Sequence, residues 1–271
     1  MLQIKNLLVI VVLFVTVQSQ NEKYCDQNLC TSNNVVKPHI GCKNDGQFKK
    51  SCPGDAEVVN LSKKQKNLFL KIHNRLRDRL AHGSVTPFQP AAKMPMLKWN
   101  DELAKLAEYN VRTCKFAHDQ CRATKICRYA GQNLGQMQSF PEFLNTNIAI
   151  KNITREWFRE YKDATQDNTD MFTSGRNGRK QIGHFTAFIH EKSDKVGCAV
   201  AKFTNNNKFK EYLIACNYCY TNMMKEPIYT KGPPCSQCKN KKCGTVYKNL
   251  CPADEKVDPT PEILKNQPRR G

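Results

Sequence analysis

Cysteine is the residue type with the clearest chemical meaning in this sequence. The chain contains fourteen cysteines, an even number, in four clusters. The clusters are Cys25, Cys30, Cys42 and Cys52; Cys114, Cys121 and Cys127; Cys198, Cys216 and Cys219; and Cys235, Cys238, Cys243 and Cys251. In an oxidising compartment such thiols form disulfides, whereas in the cytosol Cys216-x-x-Cys219 with Cys235-x-x-Cys238 would indicate a four-thiolate zinc site. The choice between the two chemistries depends on the compartment.

The N-terminus indicates the compartment. One basic residue, Lys5, precedes an apolar run from Leu7 to Val17, and small or polar residues follow up to Ser19. This is the layout of a cleaved signal peptide, so residues 1–19 are predicted to be removed during secretion. The run is shorter than the about 20 residues that a transmembrane helix needs, and no transmembrane segment is expected. We therefore expect a secreted, extracellular protein whose cysteines are bridged.

Residues that could support hydrolysis are not combined in the usual ways. The sequence has no Gly-x-Ser-x-Gly elbow and no His-Glu-x-x-His pair, which are the patterns that activate a serine or hold a catalytic zinc. Bridged cysteines are unavailable as nucleophiles. The expectation is a protein that is not an enzyme.

Charge and glycosylation signals both concern the surface. The formal net charge is +19 and the isoelectric point is near 9.4, which favours attraction to anionic glycans or lipid headgroups. A solvated basic surface with no specific partner explains the same charge. Secretion argues against nucleic acid as a partner. Asn60 and Asn152 each begin an Asn-x-Ser/Thr tripeptide and are candidate glycosylation sites.

Three helices are predicted before residue 165. Ser62 is a suitable N-cap, and apolar residues then recur at helical spacing until Gly83. These apolar residues are Phe69, Ile72, Leu76 and Leu80. Asn100, followed by two acidic residues, opens a second helix that runs towards Cys114. A third helix is predicted within residues 141–163, with Pro141 in its first turn.

Short β-rich runs replace the helical pattern beyond about residue 180. They are residues 185–189, 196–203 and 212–216. Helices followed by a strand meander predict an α+β domain. We divide the chain into a cysteine-rich N-terminal arm (20–58), a main domain (59–228) and a basic cysteine-rich tail (229–271), in which a small crosslinked knot precedes a disordered end.

Four short motifs, in a fixed order, carry a family resemblance. They are His73-Asn74-x-x-Arg77, Gly131-Gln132-Asn133-Leu134, Gly183-His184-Phe185-Thr186-Ala187, and Cys216-Asn217-Tyr218 with Thr221-Asn222. Over residues 23–251 the chain resembles the CAP superfamily of cysteine-rich secretory proteins, antigen 5 venom allergens and pathogenesis-related proteins. The Cys114-x-x-x-His118-x-x-Cys121 stretch is similar to insect antigen 5, and the tail that ends at Cys251 resembles the fly versions.

The resemblance implies a three-layer α-β-α sandwich with a central cleft. The cleft positions are His118, Gln132, Glu160 and His184. Two imidazoles with a carboxylate and water can hold a divalent metal such as zinc. Because Gln132 replaces an acid and has no charge, we expect zinc binding to be weak and no cofactor to be required. The alternative is a hydrogen-bonded polar group that holds no metal.

The resemblance also implies four disulfides. They are Cys25–Cys42, Cys30–Cys121, Cys52–Cys114 and Cys198–Cys216. The six remaining cysteines, Cys127, Cys219, Cys235, Cys238, Cys243 and Cys251, cannot be paired from sequence, although Cys219 is interpreted as bridged to the tail. His190 stands where relatives usually carry tryptophan and is interpreted as a surface change. His73 and Arg77 are interpreted as organising hydrogen bonds between helix and sheet.

For function, the resemblance implies a monomeric binding protein for sterols, fatty acids or other small hydrophobic ligands, from saliva, venom or reproductive fluid. The basic surface would attract carboxylate-bearing lipids. One alternative is an interaction protein that acts on host proteins or cell-surface targets. Another is a metal-dependent hydrolase in which His118, Glu160 and His184 activate water.

Overall fold

The computed structural model describes residues 22–32 and 35–261. The α-helices in this part of the chain are α1 Lys63–Ala81, α2 Asp101–Val111, α3 Thr146–Arg159, α4 Gln166–Asp170 and α5 Gly183–Phe188. The strands are β1 Thr31–Ser32, β2 Val35–Val36, β3 Glu57–Val58, β4 Lys98–Trp99, β5 Gly131–Ser139, β6 Arg176–Asn177, β7 Lys180–Gln181, β8 Lys195–Thr204 and β9 Lys210–Tyr218. The predicted signal peptide and the last residues of the predicted disordered end lie outside the described residues.

A five-stranded sheet forms the centre of the fold. Its strands follow the order β3, β8, β9, β5 with antiparallel pairing, and β4 pairs in parallel with β8. In the β8–β9 pair Ala201 lies opposite Leu213, and Val200 lies opposite Ile214. Successive side chains point to opposite faces, and most of those in β8 and β9 are buried. The strands predicted at 196–203 and 212–216 are confirmed, and both faces of the sheet are covered.

Helices cover the two faces. Helix α2 packs with Leu213 on one face, and α1, α3 and α5 pack with Ile214 on the other. Helix α2 approaches β8 very closely, because a Cβ atom on Gly197 would lie 2.2 Å from the backbone N of Ala104. This arrangement confirms the three-layer α-β-α sandwich of the α+β class. No helix in residues 22–32 and 35–261 is both long and apolar enough to cross a bilayer.

The first two predicted helices begin at the expected caps. Ser62 and Gln65 form a capping box, in which each side chain binds the other residue's backbone N–H at 3.3 and 2.9 Å. Asn100 accepts a 2.8 Å hydrogen bond from the backbone N–H of Leu103. The third helix also forms, but Asn145 caps it. The prediction that Pro141 lies in its first turn is wrong, because the chain is in a loop there.

Residues 185–189 were predicted as a strand, and this is wrong because most of the segment belongs to α5. Aromatic and β-branched residues favour strands in isolation. In the folded protein Phe185 and Phe188 are fully buried, and their spacing of three places both on the inner side of a helix. The N-terminal N–H groups of α5 are satisfied by the carboxylate of Glu160, which comes from another element and gives no local sequence signal.

Seven disulfides use all fourteen cysteines, so no cysteine of the described chain is free. Four are the pairs implied by the family resemblance, Cys25–Cys42, Cys30–Cys121, Cys52–Cys114 and Cys198–Cys216. The others are Cys127–Cys219, Cys235–Cys243 and Cys238–Cys251. Cys219 is therefore not bridged to the tail: it follows β9 directly, and its Cα atom lies 4.6 Å from that of Cys127. The tail cysteines pair among themselves, and the pairing leaves no thiolates for zinc.

Candidate functional site

Gln132, at the start of β5, is the centre of one half of the predicted cleft. Its Oε1 lies 2.8 Å from Nδ1 of His118, at the exposed rim. Its Nε2 donates hydrogen bonds to Oδ2 of Asp119 at 2.8 Å and to Oδ1 of Asn217 at 3.0 Å. A neutral amide suits this position, because one side chain must accept from an imidazole and donate to two oxygens.

Asp119 supplies a carboxylate beside the uncharged Gln132. Its side chain is only 4% exposed. It accepts a 2.8 Å hydrogen bond from Nε of Arg122 and a 3.1 Å hydrogen bond from Nδ2 of Asn110. A second acid at position 132 would face this carboxylate at hydrogen-bond distance and would be repelled. Sequence reasoning missed Asp119; its position next to His118 was the available signal.

Glu160 and His184 form the other half of the cleft. Glu160 is the C-cap residue directly after α3, and His184 lies in the first turn of α5. Glu160 Oε1 lies 2.7 Å from Nδ1 of His184, while Oε2 accepts the backbone N–H groups of His184 and Phe185 at 2.9 and 3.1 Å. One carboxylate thus orients the imidazole and caps the helix that carries it.

A chain of hydrogen bonds connects the cleft to the core. Asn133 donates to the carbonyl oxygen of His184 at 3.0 Å and to the Tyr218 hydroxyl at 3.3 Å. The Tyr218 hydroxyl lies 2.9 Å from Nε2 of His73, whose Nδ1 lies 2.8 Å from the Phe69 carbonyl oxygen. Residues from all four sequence motifs therefore meet in one region. Burial lowers the pKa of His73 to about 3, so this ring is neutral.

The two cleft imidazoles keep their Nε2 atoms for a ligand, since each Nδ1 is bonded to a side-chain oxygen. This is the orientation that outer partners give to metal-binding histidines. Desolvation lowers the pKa of His118, and the nearby Arg122 and His184 add to the shift. Among the described residues, however, three or more potential ligand atoms come within 4.8 Å of one another only in two groups that include disulfide sulfurs. Among the described His, Cys, Asp and Glu side chains, the cleft therefore contains no complete three-ligand set.

Arg77 and His190 lie in the core beside this region. Both are fully buried, so the interpretation of His190 as a surface change is wrong. The His190 ring contacts Tyr220 edge-on at 4.7 Å, and its carbonyl oxygen accepts a 3.2 Å bond from Arg77. Arg77 also donates to the carbonyl oxygens of Pro95, Phe188 and Ser193. The predicted role in connecting helix and sheet is confirmed for His73, which contacts Tyr218 of β9. Arg77 instead connects α1 to the end of α5 and to loop segments.

Comparison with known proteins agrees with this geometry. The model of the cysteine-rich secretory protein family, CAP, matches residues 70–218. Venom allergen-1 of Aedes aegypti is 40% identical over 234 residues, covering 86% of this chain and 89% of the relative. The antigen 5 like allergen Cul n 1 of Culicoides nubeculosus is 44% identical over 191 residues, covering 69% and 86%.

A solved structure, described as NaASP2 with Zn2+, superimposes with a TM-score of 0.58 at 27% identity and covers 74% of this chain and 99% of that one. Sequence motifs, cleft and sandwich all agree with the family match. The chain therefore belongs to the CAP family of cysteine-rich secretory proteins and is similar to the antigen 5-like venom allergens of insects.

Proposed function

We propose that this protein is a secreted, non-enzymatic carrier that binds anionic lipids such as fatty acids. The observation that supports this function is a groove of about 750 Å³ between α1 and α3. Its volume lies within the range of small-molecule sites, about 300–1,000 Å³. In the cleft, by contrast, no hydroxyl or thiol of the described residues is hydrogen-bonded to His118 or His184, so neither imidazole has a nucleophile to activate.

The groove combines an apolar wall with a cationic rim. Leu68, Ile72 and Leu76 recur along α1 and supply the apolar wall. Basic side chains surround it, and Asp78 is the one acid among the lining residues. The basic residues are Lys71, Arg75, Arg79, Lys151 and Arg155. An acyl chain would remove the apolar wall from water, and a carboxylate would lie near the guanidinium and ammonium groups. The lining therefore favours a lipid acid over a neutral lipid.

The double variant Arg75→Gln/Arg155→Gln is expected to bind a fluorescent fatty acid about tenfold more weakly, because two charge-assisted contacts are lost. Both side chains are exposed and their replacement should leave the fold intact. Binding of the corresponding fatty alcohol should change little, since it has no carboxylate. Displacement titrations with the mature protein measure both ligands.

A matched control is Arg176→Gln/Arg179→Gln, which removes the same charge from exposed positions of the β6–β7 hairpin. We expect this variant to bind as the wild type does. Equal loss in both double variants would refute the groove as the site, as would the absence of fatty acid binding by the wild type. Mass spectrometry of lipid extracted from native protein tests the same proposal without added ligand.

A weak zinc site in the cleft is a second candidate function. It is supported by the two imidazoles whose Nδ1 atoms are already bonded to oxygens, and by a solved relative whose description includes Zn2+. His118 and His184 would hold the ion through Nε2, while Glu160 would orient His184. The ion would supply Lewis-acid and structural charge, with only weak affinity because Gln132 is neutral.

Zinc titration at neutral pH is expected to give a heat signal that either His118→Ala or His184→Ala abolishes. A signal that survives both substitutions would place the metal elsewhere, and no signal in the wild type would refute the candidate site. His82→Ala is the control, because His82 is exposed and bonded to Ser84 outside the cleft.

A further inference from the structure

The tail forms a small rigid unit that the lipid groove and the cleft do not use. We call residues 235–251 the knot; its disulfides are Cys235–Cys243 and Cys238–Cys251. The knot is fixed to the main domain by the Cys251 N–H, which donates to the Met94 carbonyl oxygen at 2.8 Å, and by the Asn249 N–H, which donates to Asp78 at 2.8 Å. Near its other end the Gln237 N–H donates to the Ala92 carbonyl oxygen at 3.0 Å, so the backbone of the knot is held in place at both ends.

Lysines are concentrated on this unit. The four residues between Cys238 and Cys243 include Lys239, Lys241 and Lys242, and all three are exposed. The backbone of four residues spans at most about 14 Å even when extended, so the three lysines are confined to one small part of the surface. Holding like charges this close concentrates positive potential at one place on the surface.

Few acids offset this charge. Residues 231–253 contain no Asp or Glu. Asp254 lies 3.7 Å from the Lys239 ammonium, and Glu255 accepts the Lys239 backbone N–H and pairs with Lys93. Lys241 and Lys242 form no salt bridge with any described residue. Two of the three cations in this loop are therefore available to an external anion.

We propose that the knot binds a linear sulfated polysaccharide, such as a heparin-like glycan of an extracellular matrix. The lysines are exposed on a crosslinked loop and do not line the lipid groove, which suits a polymer that presents several anionic groups in a row. Two disulfides fix the loop before binding, so little conformational entropy is lost on association. Because the charges are spread along a polymer, the binding is multivalent and depends on salt.

The chemistry of the knot argues against the other polyanionic partners. It has no arginine, and its one aromatic residue, Tyr247, packs against the core, so no stacking platform for nucleic acid bases is exposed. The single exposed large apolar residue is Val246, and an interfacial membrane anchor needs a larger apolar face. Lysine ammonium groups that bind sulfate as point charges need neither feature.

The test compares two triple variants of the mature protein. Lys239→Gln/Lys241→Gln/Lys242→Gln removes the knot cations. The control, Lys43→Gln/Lys49→Gln/Lys50→Gln, removes the same charge from exposed positions of the N-terminal arm. Lys43 and Lys241 both have a φ of 52°, so the backbone cost of substitution is matched. Binding to an immobilised heparin dodecasaccharide is measured at increasing NaCl concentration.

We expect the knot variant to bind heparin at least about tenfold more weakly than the wild type, because up to three counterion-releasing contacts are lost. Its affinity should also depend less steeply on salt concentration. The control should lose less than about twofold. Equal losses would overturn the proposal in favour of general attraction by the net charge, and unchanged binding of the knot variant would place the site elsewhere. A knot variant that loses binding to anionic vesicles or to a DNA oligonucleotide, but retains heparin binding, would likewise overturn it. Fatty acid binding serves as the folding control, since the groove is separate from the knot lysines.

Discussion

Arg77→Met is expected to destabilise the protein by about 3–5 kcal/mol, the usual effect of removing one partner from a buried charge network. The Arg77 guanidinium is fully buried and donates five hydrogen bonds to four backbone carbonyl oxygens, on the segments before β4 and after α5. Methionine keeps much of the volume but leaves these acceptors without donors in the core. Urea unfolding at pH 7 with intact disulfides measures the change.

Arg77→Lys separates charge from geometry. A single ammonium keeps the positive charge but cannot reproduce the planar fork of the guanidinium. We therefore expect Arg77→Lys to lower the free energy of unfolding, but by less than Arg77→Met does. Arg79→Met is the matched control, because Arg79 lies on the exposed side of the same helix and should cost less than about 0.5 kcal/mol. A loss below about 1 kcal/mol for Arg77→Met would contradict the role of Arg77 in connecting these segments.

Acid is expected to destabilise the protein below pH 6.5, mainly through two buried histidines. Burial, with a smaller contribution from nearby cations, lowers the pKa of His73 and of His190 to about 3. The cations are Arg77 for His73, and Lys192 and Arg77 for His190. In the unfolded chain both rings would take up a proton near pH 6.5. Between these values the unfolded state binds more protons, so each ring lowers the unfolding free energy by about 1.4 kcal/mol per pH unit as the pH falls. Burial raises the pKa of Glu191, and this carboxyl acts in the opposite direction.

His190→Phe tests this expectation directly. The buried Nε2 of His190 has no hydrogen-bond partner, while Nδ1 accepts a 3.2 Å bond from the backbone N–H of Lys192. Phenylalanine removes the unpaired donor and leaves the Lys192 N–H unpaired, so the two effects oppose each other and a small change is expected at pH 7. At pH 4.5 the variant should be more stable than the wild type by about 2.5 kcal/mol, because the variant has no imidazole at this position to take up a proton on unfolding. Urea unfolding at pH 7 and at pH 4.5 measures both differences. If the free energy of unfolding depends on pH in the same way for the variant and the wild type, His190 is not a source of the acid destabilisation.

Local signals in the sequence were enough for the elements that carry their own caps and periodicity. Helix α1 begins at Ser62 and α2 at Asn100, because each cap residue binds its own helix. Strand β5 was not predicted, since residues such as Gln132 and Gln136 break the apolar pattern of a strand. Its backbone is defined by pairing with β9, a contact that is distant in the sequence. Helix α5 was mistaken for a strand for the same reason, because the carboxylate that caps it comes from Glu160.

The candidate site was predicted through motifs and not through periodicity. Pairing within each half of the cleft, His118 with Gln132 and Glu160 with His184, depends on residues that the fold brings together. Asp119 was not predicted, because no rule of sequence spacing identifies a carboxylate that is buried beside a neutral amide. The partner of Cys219 was also wrong, because several pairings satisfy the same cysteine count.

The disulfides reinforce the molecule unevenly. They crosslink the N-terminal arm, the strands β8 and β9, and the knot. The Cys127–Cys219 bridge joins the loop before β5 to the residue after β9. Neither α1 nor α3 contains a cysteine, so packing alone sets the distance between the two walls of the lipid groove. A change in this distance would break no disulfide. The crosslinked scaffold thus leaves the proposed lipid groove without a covalent tie between its walls, an arrangement that suits hydrocarbon chains of different length and unsaturation.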